Sequence, residues 1–183
     1  MKKLTLIAML SAMIGFVACD KAEDLLDVDL EGTINQTVTL SYPVQADSVS
    51  ASETALIALG DNEEFARYGD KIKSIEIKKI TLEIDNVTEA QATSALQGIA
   101  AAGTASSQVS FPIERVLVEQ ADKDNVIIAE YELTAEEASA LGNSLLSSGV
   151  AAFGFTLDLF DAPMTFDLKL SVTAKATASP LED

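Results

Sequence analysis

Apolar and polar residues alternate along several stretches of this chain, and the alternation limits the folds it can adopt. The stretches with this pattern are 26–31, 38–42, 74–85, 153–159 and 166–172. A period of two sends successive side chains to opposite faces of a β-strand. We therefore predict half-buried strands, each with one apolar face.

Residues 74–85 form the clearest predicted strand, although the apolar positions change parity within it. Ile75 and Ile77 are odd-numbered, whereas the apolar residues from Ile80 onward are even-numbered. One extra residue in a strand restores a common face through a β-bulge. We predict that bulge at Lys78–Lys79.

Three segments carry a helix start signal, a capping residue followed three positions later by Glu or Gln. Asp61 starts a helix that Gly69 ends, and Thr134 starts a helix that Gly149 ends. Thr88 precedes an Ala-rich stretch with apolar residues at helical spacing. We predict a third short helix there, followed by a loop.

Proline, serine and aspartate mark the connections. Pro43 and the Ser-rich residues 45–52 predict an exposed loop. Further strands are predicted at 108–118 and 126–133, and Pro112 suggests an edge position for the first of them. Asp-Ala-Pro-Met at 161–164 predicts the turn of a long antiparallel hairpin, the last in the chain.

Strands outnumber helices, consecutive strands are expected to pair, and no strand–helix–strand rhythm appears. We predict an all-β fold, a single antiparallel β-sandwich that is Ig-like or jelly-roll-like, with two or three short helices in its connections. Its predicted extent is 26–183, a length typical of one domain.

The chain begins with a short basic segment and an uncharged apolar run. Lys2 and Lys3 precede 4–17, which is shorter than the roughly 20 residues that span a bilayer as a helix. This layout is typical of a secretory signal peptide. Phe16-Val-Ala-Cys19 follows, and Cys19 is the only cysteine of the 183 residues.

Residues 16–19 resemble the lipobox of bacterial lipoproteins, although Phe16 stands where that family usually has Leu. The resemblance implies that 1–18 is a signal peptide and that the sulfur of Cys19 carries a diacylglyceryl group. It also implies acylation, for example by palmitate, of the new amino group, with 19–25 as a tether. Several acyl chains hold a protein stably at a membrane. The alternative is an ordinary cleaved signal peptide.

Residues 20–24, Asp-Lys-Ala-Glu-Asp, resemble the acidic signature after the lipidated cysteine in surface lipoproteins of the Bacteroidota. That resemblance implies an outer-membrane protein exposed at the cell surface, with the periplasmic face as the alternative. The bodies of small lipoproteins of this kind are often uncharacterised β-sandwiches, which is an analogy of fold and assigns no function.

Charge and composition exclude several function classes. The chain has 29 acidic and 12 basic residues, a net charge of −17, and loss of Lys2 and Lys3 would make it −19. Nucleic acid is excluded as a partner because its phosphates would be repelled. Without histidine, the Ser-His-Asp and Cys-His arrangements and the usual zinc sites are missing. We predict no enzyme and no cofactor, a hydrolase with a carboxylate pair being the least favoured alternative.

Four lysines lie within nine positions. They are Lys71, Lys73, Lys78 and Lys79. They are a candidate positive dock for a partner on an otherwise acidic body. The alternative is protection of an edge strand against aggregation.

Two weaker candidate sites lie in predicted turns and loops. Asp122, Asp124 and Asn125 offer the oxygen ligands that calcium takes, without the spacing of a calcium loop. Solvated turn residues are the alternative, also for Asp158, Asp161 and Asp167 around the predicted last hairpin. A register that placed Asp158 opposite Asp167 would be unfavourable without a cation, and a shift of two residues would remove that clash. Asp47-Ser48-Val49 resembles the short O-glycosylation site of Bacteroidota and makes Ser48 a candidate acceptor.

These observations lead to one functional hypothesis and one alternative. We expect a non-catalytic envelope lipoprotein that contacts the membrane through its N-terminal lipid and another envelope protein through its body. The alternative is a binding module for a surface glycan or small ligand, although the chain has no tryptophan for a sugar platform. Of its three tyrosines, Tyr42 and Tyr68 fit apolar core faces, and Tyr131 is ambiguous.

Overall fold

The computed structural model describes residues 27–104, 107–118 and 126–179. The strands are β1 Val28–Ala58, β2 Ile72–Thr88, β3 Ala95–Thr104, β4 Ser107–Leu117, β5 Val126–Glu132 and β6 Val150–Ala178. The helices are α1 Glu63–Tyr68 and α2 Ala135–Ser148, with short 3-10 turns at Leu59–Asp61 and Gly69–Lys71. The predicted all-β class is confirmed.

The two longest strands form the framework of the fold. β1 and β6 pair antiparallel over their whole length, from Val28 opposite Ala178 to Ala58 opposite Val150. The register shifts between Tyr42 and Ala46. On its other edge, β6 pairs with β2 along residues 165–178 and with β3 along 153–160. The two long strands therefore pass through both layers of a sandwich.

Each layer contains four strand segments. The first sheet has the order β1 28–42, β6 164–178, β2, β5, and the second has the order β1 48–58, β6 150–160, β3, β4. This pairing is that of a jelly roll, which is the second of the two predicted sandwich types. Consecutive strands pair only in β3–β4, so the expectation of sequential pairing is largely wrong.

The inward faces of both sheets form a common hydrophobic core. In β6 the buried positions are odd-numbered up to Leu159 and even-numbered from Ala162 to Ala178. Asp161, with a φ of 56°, lies where the parity changes. Its left-handed conformation is one that Asp tolerates better than most residues. The change keeps Phe153 and Phe166, both fully buried, in one core.

Local signals predicted several elements correctly. The register of β2 against β6 skips Lys78, between Ile77 and Lys79, which confirms the predicted bulge. The helix predicted before Gly69 is α1, although Asn62 rather than Asp61 caps it by accepting hydrogen bonds from the amides of the second and third helical residues. Pro112 lies on β4, an edge strand, as predicted.

The helix predicted after Thr134 is α2. Thr134 and Glu137 form the reciprocal capping box, and Gly149, with a φ of 73°, ends the helix. A Cβ atom at Gly142 would overlap the backbone carbonyl oxygen of Ile75 in β2. The helix therefore packs unusually close to the part of β2 that extends beyond its pairing with β5.

The hairpin predicted at 161–164 is wrong. Residues 150–178 form one continuous strand, because β1 supplies a partner on both sides of Asp161. Asp158 and Asp167 consequently do not face each other. Their partners are the hydroxyl groups of Ser50 and Thr39, each at 2.6 Å.

The helix and loop predicted after Thr88 are also wrong. Residues 95–104 form β3, which lies between β6 and β4 and is paired on both edges. Hydrogen bonding to two neighbours overrides the helical propensity of an Ala-rich stretch. The short turn before β3 is stabilised by Ser94, whose hydroxyl donates to the Asp161 carbonyl at 2.7 Å.

The loop predicted at 45–52 is strand instead. β1 bends after Pro43 and pairs again with β6 from Ala46 onward. Proline is tolerated here because β1 is an edge strand in both sheets. Ser48 thus lies in β1, in register with Phe160, and is exposed.

Candidate interaction surface

The outward face of the second sheet carries small or uncharged side chains on all four strand segments. Side chains that share a row lie on neighbouring strands in register. One row is Ser52, Thr156, Ile99 and Pro112, and the next is Thr54, Gly154, Ala101 and Ser110. Leu56, Ala152 and Val150 extend the same face toward the end of the sheet. We call these eleven residues the neutral face.

The neutral face is open to solvent. Leu56 is 59% exposed, Ile99 56% and Val150 44%. Between these larger side chains lie alanine, glycine, serine and threonine, which project little from a sheet. The face is therefore flat, and its apolar groups are displayed rather than covered.

At one end of the neutral face, charged residues begin. A groove of about 410 Å³ is lined by Gln97, Ile99, Pro112, Glu114, Arg115 and Asp158, among others. The guanidinium of Arg115 lies 4.4 Å from the ring centroid of Phe160, a cation–π contact. Polar groups of this kind commonly form the rim of a protein interface.

The outward face of the first sheet has the opposite character. Charged and hydroxyl side chains on its strands bond to one another in cross-strand pairs. The pairs include Thr33–Thr173 at 3.3 Å, Ser171–Asn35 at 2.8 Å, Ser41–Thr165 at 2.9 Å and Lys175–Glu31 at 3.5 Å. The two faces of the sandwich therefore differ sharply in charge.

Asp85 and Asp167 face each other across β2 and β6 on this charged face. Lys169 bonds to Asp85 at 2.5 Å and holds the pKa of that carboxyl below its ordinary value. Hydrogen bonds from Thr39 at 2.6 Å and Asn86 at 2.7 Å likewise hold the pKa of Asp167 low. The pKa of Lys169 is raised by Asp85. Two facing acids are thus stabilised in their ionised form.

This network predicts a dependence of stability on pH. A carboxyl whose pKa is lowered by folding contributes stability above its unfolded pKa, near 4, and loses it as the pH falls through the folded pKa. Thr39→Val removes the first donor to Asp167, so the free energy of unfolding should fall less between about pH 7 and about pH 2 than in the parent protein. Denaturant titration across that range measures the difference.

Thr33→Val is the matched control, because Thr33 bonds to a hydroxyl rather than to a carboxylate. It should keep the parental pH dependence. Equal pH profiles for Thr39→Val and the parent would show that the Thr39 hydrogen bond does not stabilise ionised Asp167.

The four candidate docking lysines do not form an isolated positive surface. Lys73 pairs with Asp27 at 3.2 Å, Lys78 with Glu76 at 2.5 Å and Lys79 with Glu130 at 3.0 Å. Lys71 lies in the 3-10 turn before β2. Acids of the same chain therefore offset three of the four lysine charges. A role of these lysines in docking a partner stays a prediction.

The remaining sequence-predicted sites are only partly described. Cys19 and the turn with Asp122, Asp124 and Asn125 lie outside the described residues, so lipidation and calcium binding stay predictions. Ser48 is exposed in a strand, as noted above. Within the described part of the chain, no group of three or more acidic or cysteine side chains is placed to hold a metal ion.

None of the three tyrosines forms a free aromatic platform. Tyr42 and Tyr68 pack partly buried against the core, as the sequence indicated. Tyr131 stacks on the buried ring of Phe111, with centroids 5.1 Å apart, and donates to Glu137 at 3.0 Å. That hydrogen bond raises the pKa of Tyr131, while hydrogen bonds from Thr134 chiefly lower the pKa of Glu137. One ring face and the hydroxyl of Tyr131 are thus used within the domain.

A second groove, of about 530 Å³, lies on the charged face beside the start of α2. Its lining includes Glu31, Glu76 and Lys175, and the last of these pairs with Glu31. No helix among the described residues is long and apolar enough to span a membrane.

The sequence did not point to the neutral face. Alternation showed which side chains point outward in each strand, but the face exists only because Thr54, Gly154, Ala101 and Ser110 become neighbours through pairing. A lack of charge at outward positions in four separate segments is the one signal that could have suggested it.

No family model matches the chain, and no curated protein matches it. Solved structures with some likeness include the BFDV capsid protein as a 60-mer, which is 10% identical over 86% of this chain and 98% of that one, with a TM-score of 0.45. A chain of turnip yellow mosaic virus is 10% identical over 84% of this chain and 98% of that one, with a TM-score of 0.39. At these scores the likenesses carry no inference about function.

Proposed function

We propose that this chain is a lipid-anchored lipoprotein of the bacterial envelope that binds another envelope protein through the neutral face and catalyses no reaction. The observation that carries this proposal is a flat, uncharged surface on a chain with a net charge of −17. The centres of protein interfaces are depleted in charged residues in the same way.

Desolvation explains why such a face suits a partner. Removing a charged side chain from water when an interface closes over it costs free energy. Burying threonine or alanine costs little, and burying isoleucine is favourable. The charged face of the first sheet would have to give up or rearrange ordered hydrogen bonds on binding. The neutral face therefore offers the lower cost of association.

The dimensions indicate a modest contact. Four strands about 4.8 Å apart and about seven residues long cover roughly 400 Å². A standard interface buries about 800 Å² on each partner, and smaller ones are typical of weak or transient complexes. We therefore propose that the complex with this partner is weak and transient.

The proposed anchor compensates for a small interface. Eight residues separate Cys19 from Val28, and the nine Cα-to-Cα steps between them reach about 30 Å when extended. A body held that near a membrane meets other membrane-bound proteins at a high effective concentration, so a weak contact suffices. The acidic signature at 20–24 supports the outer membrane and the cell surface as the location.

Chemical crosslinking in intact cells followed by affinity purification tests the proposal. Ala101→Asp places a charge in the middle of the neutral face, and Ser74→Asp places one on the exposed outer face of the first sheet. We expect Ala101→Asp to reduce recovery of the crosslinked partner at least tenfold and Ser74→Asp to leave it unchanged. Equal recovery with both variants would refute the assigned surface.

The anchor is tested separately. With Cys19→Ala, labelled palmitate should no longer be incorporated. External protease should degrade the parent protein on intact cells. Protection from protease would contradict a surface location and leave the periplasmic face.

A further inference from the structure

We propose that two copies of this chain associate through the outer edge of β1, by antiparallel pairing of residues 35–41. In the described ranges, β1 is paired with β6 only, along its inner edge. This edge is separate from the neutral face, so the inference does not rest on the proposed function.

The backbone groups available at the outer edge can be identified from one hydrogen bond. The Asn62 side chain donates from Nδ2 to the Thr33 carbonyl at 3.1 Å, so that carbonyl points away from β6. In an antiparallel strand the N–H and C=O of one residue point the same way, and the direction alternates along the chain. Asn35, Thr37 and Thr39 therefore present both groups outward, as does Ser41.

The other edge strands of the sandwich carry features that discourage pairing, whereas the segment of β1 between Gly32 and Tyr42 does not. β4 contains Pro112 and the charged Glu114 and Arg115, and β5 has seven residues that include Glu130 and Glu132. Prolines, charges and short length are the usual protection of sheet edges. Between Gly32 and Tyr42, β1 has no charge and no proline, and its register with β6 is uninterrupted.

The pattern of this segment fits a second copy of itself. If Thr37 of one copy faces Thr39 of the other, Asn35 faces Ser41, and all four outward residues pair with outward residues. Thr33 then faces Pro43. Pro43 has no N–H to donate to the Thr33 carbonyl, but that carbonyl already accepts from Asn62. The missing hydrogen bond therefore leaves the Thr33 carbonyl with a partner.

Charge selects the antiparallel arrangement. Parallel pairing in register would align Asp29 and Glu31 with their own counterparts, and like charges directly opposite are destabilising. In the antiparallel register, Glu31 faces Gln45. The outward side chains are then threonine, serine and asparagine, as in the Thr33–Thr173 and Ser41–Thr165 contacts with β6. A two-fold interface of this kind is self-complementary.

Disulfide trapping tests the register. Val38 lies opposite Val38 of the second copy, at a non-hydrogen-bonded position where side chains come close enough for a disulfide. In the full chain with Cys19→Ala, purified in detergent, Val38→Cys should form a covalent dimer under mild oxidation. Thr54→Cys, exposed on the same strand, should stay monomeric. Dimer formation by both variants, or by neither, would overturn the proposal.

A second pair of variants measures the association without a new thiol. Thr37→Pro removes an N–H that faces the outer edge, so the ladder with β6 and the melting temperature should be retained. Its dimer dissociation constant should rise at least tenfold, whereas Thr37→Val should match the parent. A parent protein that sediments as a monomer at about 100 µM would refute the dimer. That result would leave partner recovery through the neutral face unaffected.

Discussion

Replacing Gly142 by alanine is expected to destabilise the protein by about 3 kcal/mol or more. The added Cβ would overlap the carbonyl oxygen of Ile75, and backbone cannot move aside as a flexible side chain can. α2 would have to lift from β2, which would partly expose Leu141 and Leu145, both buried in the core. Thermal unfolding should show a loss of roughly 10 °C.

Gly154→Ala is the matched control. Gly154 also lies in an ordered element, but a Cβ atom there meets nothing within 4 Å. Alanine at this position should be neutral or slightly stabilising, because it reduces the conformational freedom of the unfolded chain. Equal losses for both variants would mean that α2 does not pack against β2 as described.

Phe166→Ala is expected to cost about 3–5 kcal/mol. The Phe166 ring is fully buried between the two sheets, and its removal leaves a cavity that close-packed neighbours fill only in part. Denaturant unfolding should show a lower midpoint with an unchanged slope.

Phe160→Ala provides the comparison on the other side of the parity change in β6. Phe160 points outward and contacts Arg115, so its removal should cost about 1 kcal/mol or less. If Phe160→Ala proved the more damaging variant, the parity of β6 around Asp161 would be wrong, and with it the continuous strand.

Features decided by neighbouring residues were predictable from the sequence. The Asn62 cap of α1 and the capping box of α2 each lie within four positions, and the bulge at Lys78 follows from a change of parity within one strand. The sandwich class followed in the same way from alternation. The choice of Asn62 over Asp61 as the α1 cap shows that such boundaries are accurate to about a residue.

The errors came from features decided by distant residues. Asp-Ala-Pro at 161–163 has the composition of a turn, and only pairing with β1 on both sides makes it a bend within one strand. The segment 95–104 has helical spacing, and only β6 and β4 make it a strand. Ser48 likewise lies in a strand and not in the predicted loop, because its segment of β1 pairs with β6.

The candidate surface could be predicted less well than the fold. Its residues come from β1, β3, β4 and β6, and nothing in a single strand shows which strands will lie side by side. The lysine cluster, by contrast, was visible in the sequence, but its acidic partners Asp27 and Glu130 come from other segments. The sequence alone could therefore suggest a location at the envelope and a lysine cluster, but not the neutral face.

A photo-reactive amino acid placed at Ile99, a highly exposed residue of the neutral face, tests the central claim most directly. Irradiation of intact cells should attach this protein to a distinct envelope protein, identified by mass spectrometry. The same group at the exposed Glu76 on the charged face should give little product. Equal or stronger crosslinking from Glu76, or no crosslinked protein from Ile99, would contradict the assignment of the neutral face as the binding surface.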